Sequence, residues 1–198
     1  LNVIQALALV QGSKFDEKSE EEPGRIAHEV RTMDDPVAQK LSEHGDWKFP
    51  YYGSVDATLI WMMQIHRAAI DDPLILDIVI GGQVLWERFI AATNWVLARL
   101  ETPSGFIESK RVNPKGIANQ VWKDSGDSYM HANGVLARGD STASVETVGE
   151  TYDAIMAATA IQVIKPSKSW PLSTSELTQL AHNLQRSLIV YFWMGDSF

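Results

Sequence analysis

Asp56-Ala-Thr-Leu-Ile-Trp-Met-Met-Gln-Ile-His-Arg-Ala-Ala-Ile70 is the stretch whose period decides the fold. Leu59, Met62, Met63, His66 and Ile70 recur at three- and four-residue steps, the spacing that lines one face of an α-helix. Asp56 stands where a first-turn carboxylate or cap is favoured. Apolar residues nearly surround the segment, which predicts an inner helix. His66 reads as a satisfied core histidine rather than a metal ligand, because no second histidine lies four residues away. Asp71-Asp72-Pro73 ends the run, since the residue before a proline is pushed out of the helical region.

The same period returns along the chain. A second long helix is expected from about Ile75 or Gln83 to Leu100, carrying Leu85, Phe89, Ala92 and Val96 on one face, with Gly81-Gly82 dividing it. A third opens at Val145 and aligns Val148, Tyr152, Ile155 and Ala158. The last begins with the capping box Ser173-x-x-Glu176 and runs through Leu177, Leu180, Leu184 and Leu188 towards Trp193, an outer helix with its apolar face inward. Leu1 to Val10 reads as the end of a further helix. The acidic block Asp16 to Glu22 reads as a solvated loop. Pro23, Pro36 and Pro50 leave little regular structure expected between Pro23 and Ser54, and a connection of that length is functional or disordered. No strand-type alternation of any length interrupts the helices, so the predicted class is all-α, built of antiparallel helix pairs in a single domain over residues 1–198.

The 198 residues are 45% hydrophobic, enough for a sizeable core. The net charge of -8 argues against nucleic-acid or anionic-membrane surfaces, which need clustered Lys and Arg. The absence of cysteine removes disulfides and thiolate metal sites and leans towards a cytoplasmic setting. No apolar run approaches the roughly 18 residues that span a bilayer. A chain opening on Leu1 in the middle of an apolar run is expected to be a piece of a longer protein.

One stretch fits none of these periods: Gly116-Ile-Ala-Asn-Gln-Val-Trp-Lys-Asp-Ser-Gly-Asp-Ser-Tyr-Met-His-Ala-Asn-Gly134. It gathers Asp124, Asp127, Lys123, Asn119, Gln120, His131 and Trp122 without an apolar stripe. Such a mixture suits a pocket wall that gives a polyhydroxylated ligand many hydrogen bonds and one aromatic face. It equally suits a solvated loop leading to a helix cap. No metal constellation or phosphate loop accompanies it, so no cofactor is expected.

Trp122-Lys-Asp-Ser-Gly-Asp-Ser128, with Gly116-Ile-Ala-Asn-Gln before it and His131-x-Asn-Gly134 after it, resembles the amylo-alpha-1,6-glucosidase (glycogen-debranching) type of glycoside hydrolase. Glu22-Pro-Gly-Arg-Ile-Ala-His-Glu29 and Tyr51-Tyr-Gly-Ser-Val-Asp-Ala-Thr58 resemble earlier signatures of the same family, in the same order. The matches run from about residue 22 to residue 154. The resemblance implies part of an (α/α)6 barrel, roughly half of it, with the remainder of the barrel or a homo-oligomer covering the exposed apolar surface. It also implies an oligosaccharide or glucan substrate, with α-1,6-linked glucose as the default.

Glycoside hydrolysis takes two carboxyl groups, one protonated to assist the leaving oxygen and one ionised to activate water. By resemblance Asp127, five residues after Trp122, is the acid. The family is inverting, which places the base about 6.5–9.5 Å from the acid, and that base is a glutamate in a later loop, expected beyond Phe198. The isolated chain is therefore expected to be inactive. Tyr52, Asp56, Glu108, Arg111, Trp122, Lys123 and Asp124 take binding roles, while Glu108 and Arg111 equally read as surface residues. His28-Glu29 reads either as a ligand-facing pair or as a surface pair without a role. The chain departs from the family where Gly126 replaces a tryptophan, Val148 a glutamine and Glu150 a tyrosine. These changes leave open a carbohydrate-binding or assembly module without activity, or a related glycosidase for a trehalose- or mannoside-type sugar.

Overall fold

A computed structural model describes residues 1–131, 133–137 and 141–195; Ala132, inside the motif stretch, lies outside the described residues. Among the described residues six α-helices carry the fold: α1 (Asn2–Leu9), α2 (Pro36–Ser42), α3 (Asp56–Asp71), α4 (Leu85–Arg99), α5 (Val145–Ile164) and α6 (Thr174–Phe192). None of the described helices is long and apolar enough to cross a membrane.

Helix α5 lies at the centre and packs against α6, α3 and α4. Its sequence accounts for that position: Val148, Ala154, Ile155, Ala157, Ala158 and Ile161 are buried on several sides, and the small residues let neighbours approach closely. Helix α6 is one-sided, burying Leu177, Ala181 and Leu184, and its first turn is closed by the reciprocal Ser173–Glu176 capping box. The expected stripe of α4, Leu85, Phe89, Ala92 and Val96, is buried throughout. The buried face of α3 is rotated from expectation: Leu59 and Met62 are joined by Trp61, Ile65 and Ala69, while Ile70 is exposed. A helix apolar nearly all round leaves the choice of face to its neighbours.

Two stretches depart from the sequence reading. Residues 73–84 form a 3-10 turn, Pro73–Asp77, and a two-residue hairpin, β1 (Val79–Ile80) with β2 (Gln83–Val84), rather than the first part of a divided helix. Gly81 and Gly82 both have positive φ, 57° and 83°, the requirement of the tight hairpin turn whose twist matches paired strands. The short α2 was not expected among the prolines. Pro36 occupies its first turn, where a missing N–H costs nothing, and Asp35 accepts from the amides of Val37 and Ala38 at 2.7 and 3.2 Å.

The irregular segments are held by buried polar groups. Arg25, 1% exposed, donates to the Glu20 carbonyl and Glu22 Oε1, both at 2.9 Å, and to the Ser54 carbonyl and Gln120 Oε1, both at 3.4 Å. Its guanidinium lies 5.5 Å from the Trp95 ring centroid. Gly24 makes this approach possible: with φ of 85°, a Cβ there would stand 2.1 Å from the Ala91 carbonyl of α4. Glu20 adopts a left-handed φ of 59°, and its buried carboxylate accepts from Val112 N at 2.9 Å and Asn113 N at 2.7 Å. Strain of that kind persists where surrounding bonds hold it.

Arg25→Met should leave the Glu20 and Ser54 carbonyls and Gln120 Oε1 without their buried donor and Glu22 with only Trp95 Nε1 and the more distant Arg99, lowering stability by about 3 kcal/mol in urea unfolding. Lys48→Met, which removes the largely exposed partner of Asp16, should change stability by less than about 1 kcal/mol.

Candidate functional site

The motif stretch is tied to two helix starts by a run of backbone bonds. The Gln120 carbonyl accepts from Val55 N at 2.8 Å, immediately before α3. The Gln120 amide donates to Ser109 Oγ at 2.9 Å. Ser109 and Thr142 exchange backbone bonds at 2.8 and 3.1 Å. Two residues on, Ser144 caps α5 by accepting from Thr147 N at 3.2 Å. Ser109, Gln120, Thr142 and Ser144 thereby link the N-terminal end of α3 to that of α5, and acidic side chains from both helices act on one another there.

Asp56, in the first turn of α3, is 5% exposed and accepts from Ser54 Oγ. Burial raises its pKa from the ordinary aspartate value, opposed by the nearby His28 and by the amides of Ala57 and Trp122. Glu146, in the first turn of α5, pairs with Lys123, which holds its pKa below the ordinary glutamate value. One turn later stands Glu150. Burial, followed by the negative charges of Asp56, Glu146 and Asp153, pushes its pKa up to about 7. Its Oε2 is buried without a hydrogen-bond partner. The pKa of the nearby Tyr129 hydroxyl is raised by burial and by the charges of Glu146 and Asp56, against the opposing influence of the Ser144 side chain and Lys123. Trp122 is 61% exposed at the same end, with the Lys123 ammonium 5.1 Å from its ring centroid.

The structure therefore brings Asp56, Trp122 and Lys123 together and adds Tyr129, Glu146 and Glu150. Asp124 and Asp127 lie exposed in the turn that follows, which is pinned by Asn119 Nδ2 donating to the Ser125 carbonyl at 2.6 Å. Tyr52 is buried and donates its hydroxyl to the Val10 carbonyl at 2.7 Å, so the phenol is engaged in packing the N-terminal segment. Glu108 and Arg111 line a different cleft, of about 600 Å³, together with Arg99, Lys110 and Ser141. There the Glu108 carboxylate accepts from Ser104 Oγ and Ser141 Oγ, which hold its pKa down, and Arg111 donates to the Gly116 carbonyl at 3.3 Å. His28 is exposed, and Glu29 is paired with Arg31. Among the described residues no group of three or more His, Cys, Asp or Glu is placed to hold a metal ion.

The arrangement offers a ligand an aromatic face, one ammonium, and carboxyl groups whose proton affinities are shifted in opposite directions. That combination suits hydrogen bonding to hydroxyls and proton transfer at an oxygen. Tyr129 was not singled out in the sequence, and nothing in its immediate neighbours marks it. The sequence marks Glu150 only as a departure from the family's pattern and Glu146 only as a member of α5, although their four-residue spacing already stacks two like charges on one helix face.

No protein-family model matches the chain, and no characterised protein matches it in sequence.

Glu150 has a folded pKa near 7 against 4.5 for the free side chain, so folding opposes its ionisation. The wild type should lose stability as pH rises from 4.5 towards 7 and level off above. Glu150→Gln removes this loss, so the variant's stability relative to wild type should rise across that window and stay constant above it. Thermal melts from pH 4 to pH 8.5 test this.

Proposed function

We propose that the chain is part of a glycoside hydrolase of the amylo-alpha-1,6-glucosidase type, with its saccharide site at the joined N-terminal ends of α3 and α5. The observation that carries the reading is the convergence at one place of Asp56, Trp122 and Lys123. These residues come from two separate stretches that resemble the family, and nothing in their chain positions requires them to meet. The helix contacts are compatible with the proposed barrel: α3 and α5 pack directly, and each is followed in sequence by a more one-sided helix, α4 and α6.

In this reading Trp122 stacks on a sugar face, Asp56 and Lys123 take sugar hydroxyls, and Asp127 protonates the leaving oxygen from its turn beside the site. The water-activating base is a glutamate from a further part of the barrel. Residues 1–198 then bind α-linked gluco-oligosaccharides without cleaving them. A non-catalytic carbohydrate-binding module shares these features, and the exchange of tyrosine for Glu150 in the family's pattern favours keeping it as the second reading.

Isothermal titration with panose and isomaltose should show saturable binding that Trp122→Ala weakens at least tenfold, while incubation of either sugar, or a branched dextrin, with the chain leaves glucose undetected. Robust glucose release would instead place a base on Glu146 or Glu150. Within a longer chain that supplies the base, Asp127→Asn should cost roughly a hundredfold or more in turnover with the melting temperature unchanged. Near-wild-type turnover would remove Asp127 from the mechanism.

A further inference from the structure

Glu150 stands at a position where the resemblance would put a tyrosine, and its surroundings differ from those of every other carboxylate at this end of the molecule. Asp56 has the Ser54 hydroxyl, and Glu146 has Lys123. Glu150 has neither: its Oε2 is buried and unbonded, and the charged groups that face it are Asp56 from α3 and Glu146 and Asp153 from α5, all negative. Lys123 is committed to Glu146, and His28 acts on Asp56. Three carboxyl groups and one committed ammonium cannot all be ionised here cheaply, and the member without a donor is the one that keeps a proton. The buried Tyr129 hydroxyl, next to the Ser144 side chain, lies under the influence of the same Asp56 and Glu146 charges. The buried, unbonded Glu150 Oε2 leaves hydrogen-bonding capacity that the protein itself does not use.

We propose that Glu150 is the proton-carrying group of this site: its carboxylic acid donates a hydrogen bond to an oxygen of an uncharged saccharide, and loss of that proton closes the site to the ligand. The inference rests on the saccharide reading of the site. Protonated, Glu150 is a donor under the influence of two acceptors, Asp56 and Glu146, so this end of the molecule offers an uncharged polyol both donors and acceptors. Ionised, it presents a third acceptor to a region already short of positive charge. A ligand carrying an ammonium would show the opposite preference, since it would favour the ionised form.

Two measurements on the 198-residue chain test this. In protein labelled with carboxyl-13C glutamate, one resonance should titrate near neutral pH and vanish in Glu150→Gln. Panose affinity, measured by calorimetry between pH 5.5 and 8.5, should fall about tenfold per pH unit above that midpoint in the wild type, as linkage to one proton requires. It should be flat in Glu150→Gln, whose amide donates without titrating, and weak throughout in Glu150→Ala, with circular dichroism reporting the folding of each variant. A Glu150 resonance titrating in the ordinary carboxylate range overturns the proposal whatever panose does. So does affinity that rises with pH, or a pH profile unchanged in Glu150→Gln. A near-neutral resonance with no panose binding at any pH overturns the saccharide reading and the ligand half of the proposal with it, while the proton on Glu150 stands.

Discussion

The buried guanidinium of Arg25 is the contact on which the arrangement depends. It reaches the carbonyl of Glu20, the carboxylate of Glu22, the carbonyl of Ser54 and the side chain of Gln120, so one side chain joins three segments far apart in sequence. Ser54 leads directly into Asp56 and Gln120 leads directly into Trp122. A charge so deeply buried is held by its partners: desolvation lowers the pKa of Arg25, and Glu22 and Glu20 raise it. The cost of burying an ion is large, and it is offset only when good acceptors surround it. Four acceptors and the Trp95 face provide that setting, and they do so only in this register of the loops.

From that anchor the electrostatics of the site follow. The starts of α3 and α5 each favour negative charge in the first turn, which suits Asp56 and Glu146. Both cannot lie at one end of the molecule, with Glu150 one turn further in, without mutual repulsion, and a single lysine relieves only one of them. The outcome is a graded set: Glu146 is stabilised as a carboxylate, Asp56 is raised by burial against several opposing bonds, and Glu150 is poised near neutrality. Carboxyl groups whose environments separate their proton affinities are what acid–base chemistry at neutral pH requires. Binding alone can use the same separation, as donor and acceptor.

The helices were legible because a 3.6-residue period is imposed by burial, and the stripe of α4 and the capping box of α6 are local properties. The buried face of α3 was not, since Ile70 and Ile65 are equally apolar and only packing against the neighbouring elements selects between them. Gly81-Gly82 was seen as an interruption, yet the hairpin depends on two successive positive φ angles that an apolar pattern does not encode. Pro36 was read as a breaker when it opens α2. Within the site, Asp56, Trp122 and Lys123 announced themselves through their motifs. Tyr129 did not, and Glu150 stood out only as a departure from the family's pattern, because their character comes from desolvation and from neighbouring charges. Tyr52 shows the converse: its motif stood out, and its hydroxyl is spent on the Val10 carbonyl.

The central claim, that one saccharide site lies where the starts of α3 and α5 are joined, is tested most directly by mapping amide shifts in a 15N–1H spectrum during titration with isomaltose. The account predicts perturbations concentrated at Asp56, at Trp122 to Tyr129 and at Glu146 to Glu150, with α6 unaffected. Perturbations confined to the cleft around Arg99, Glu108 and Arg111, or none at saturating sugar, would contradict it.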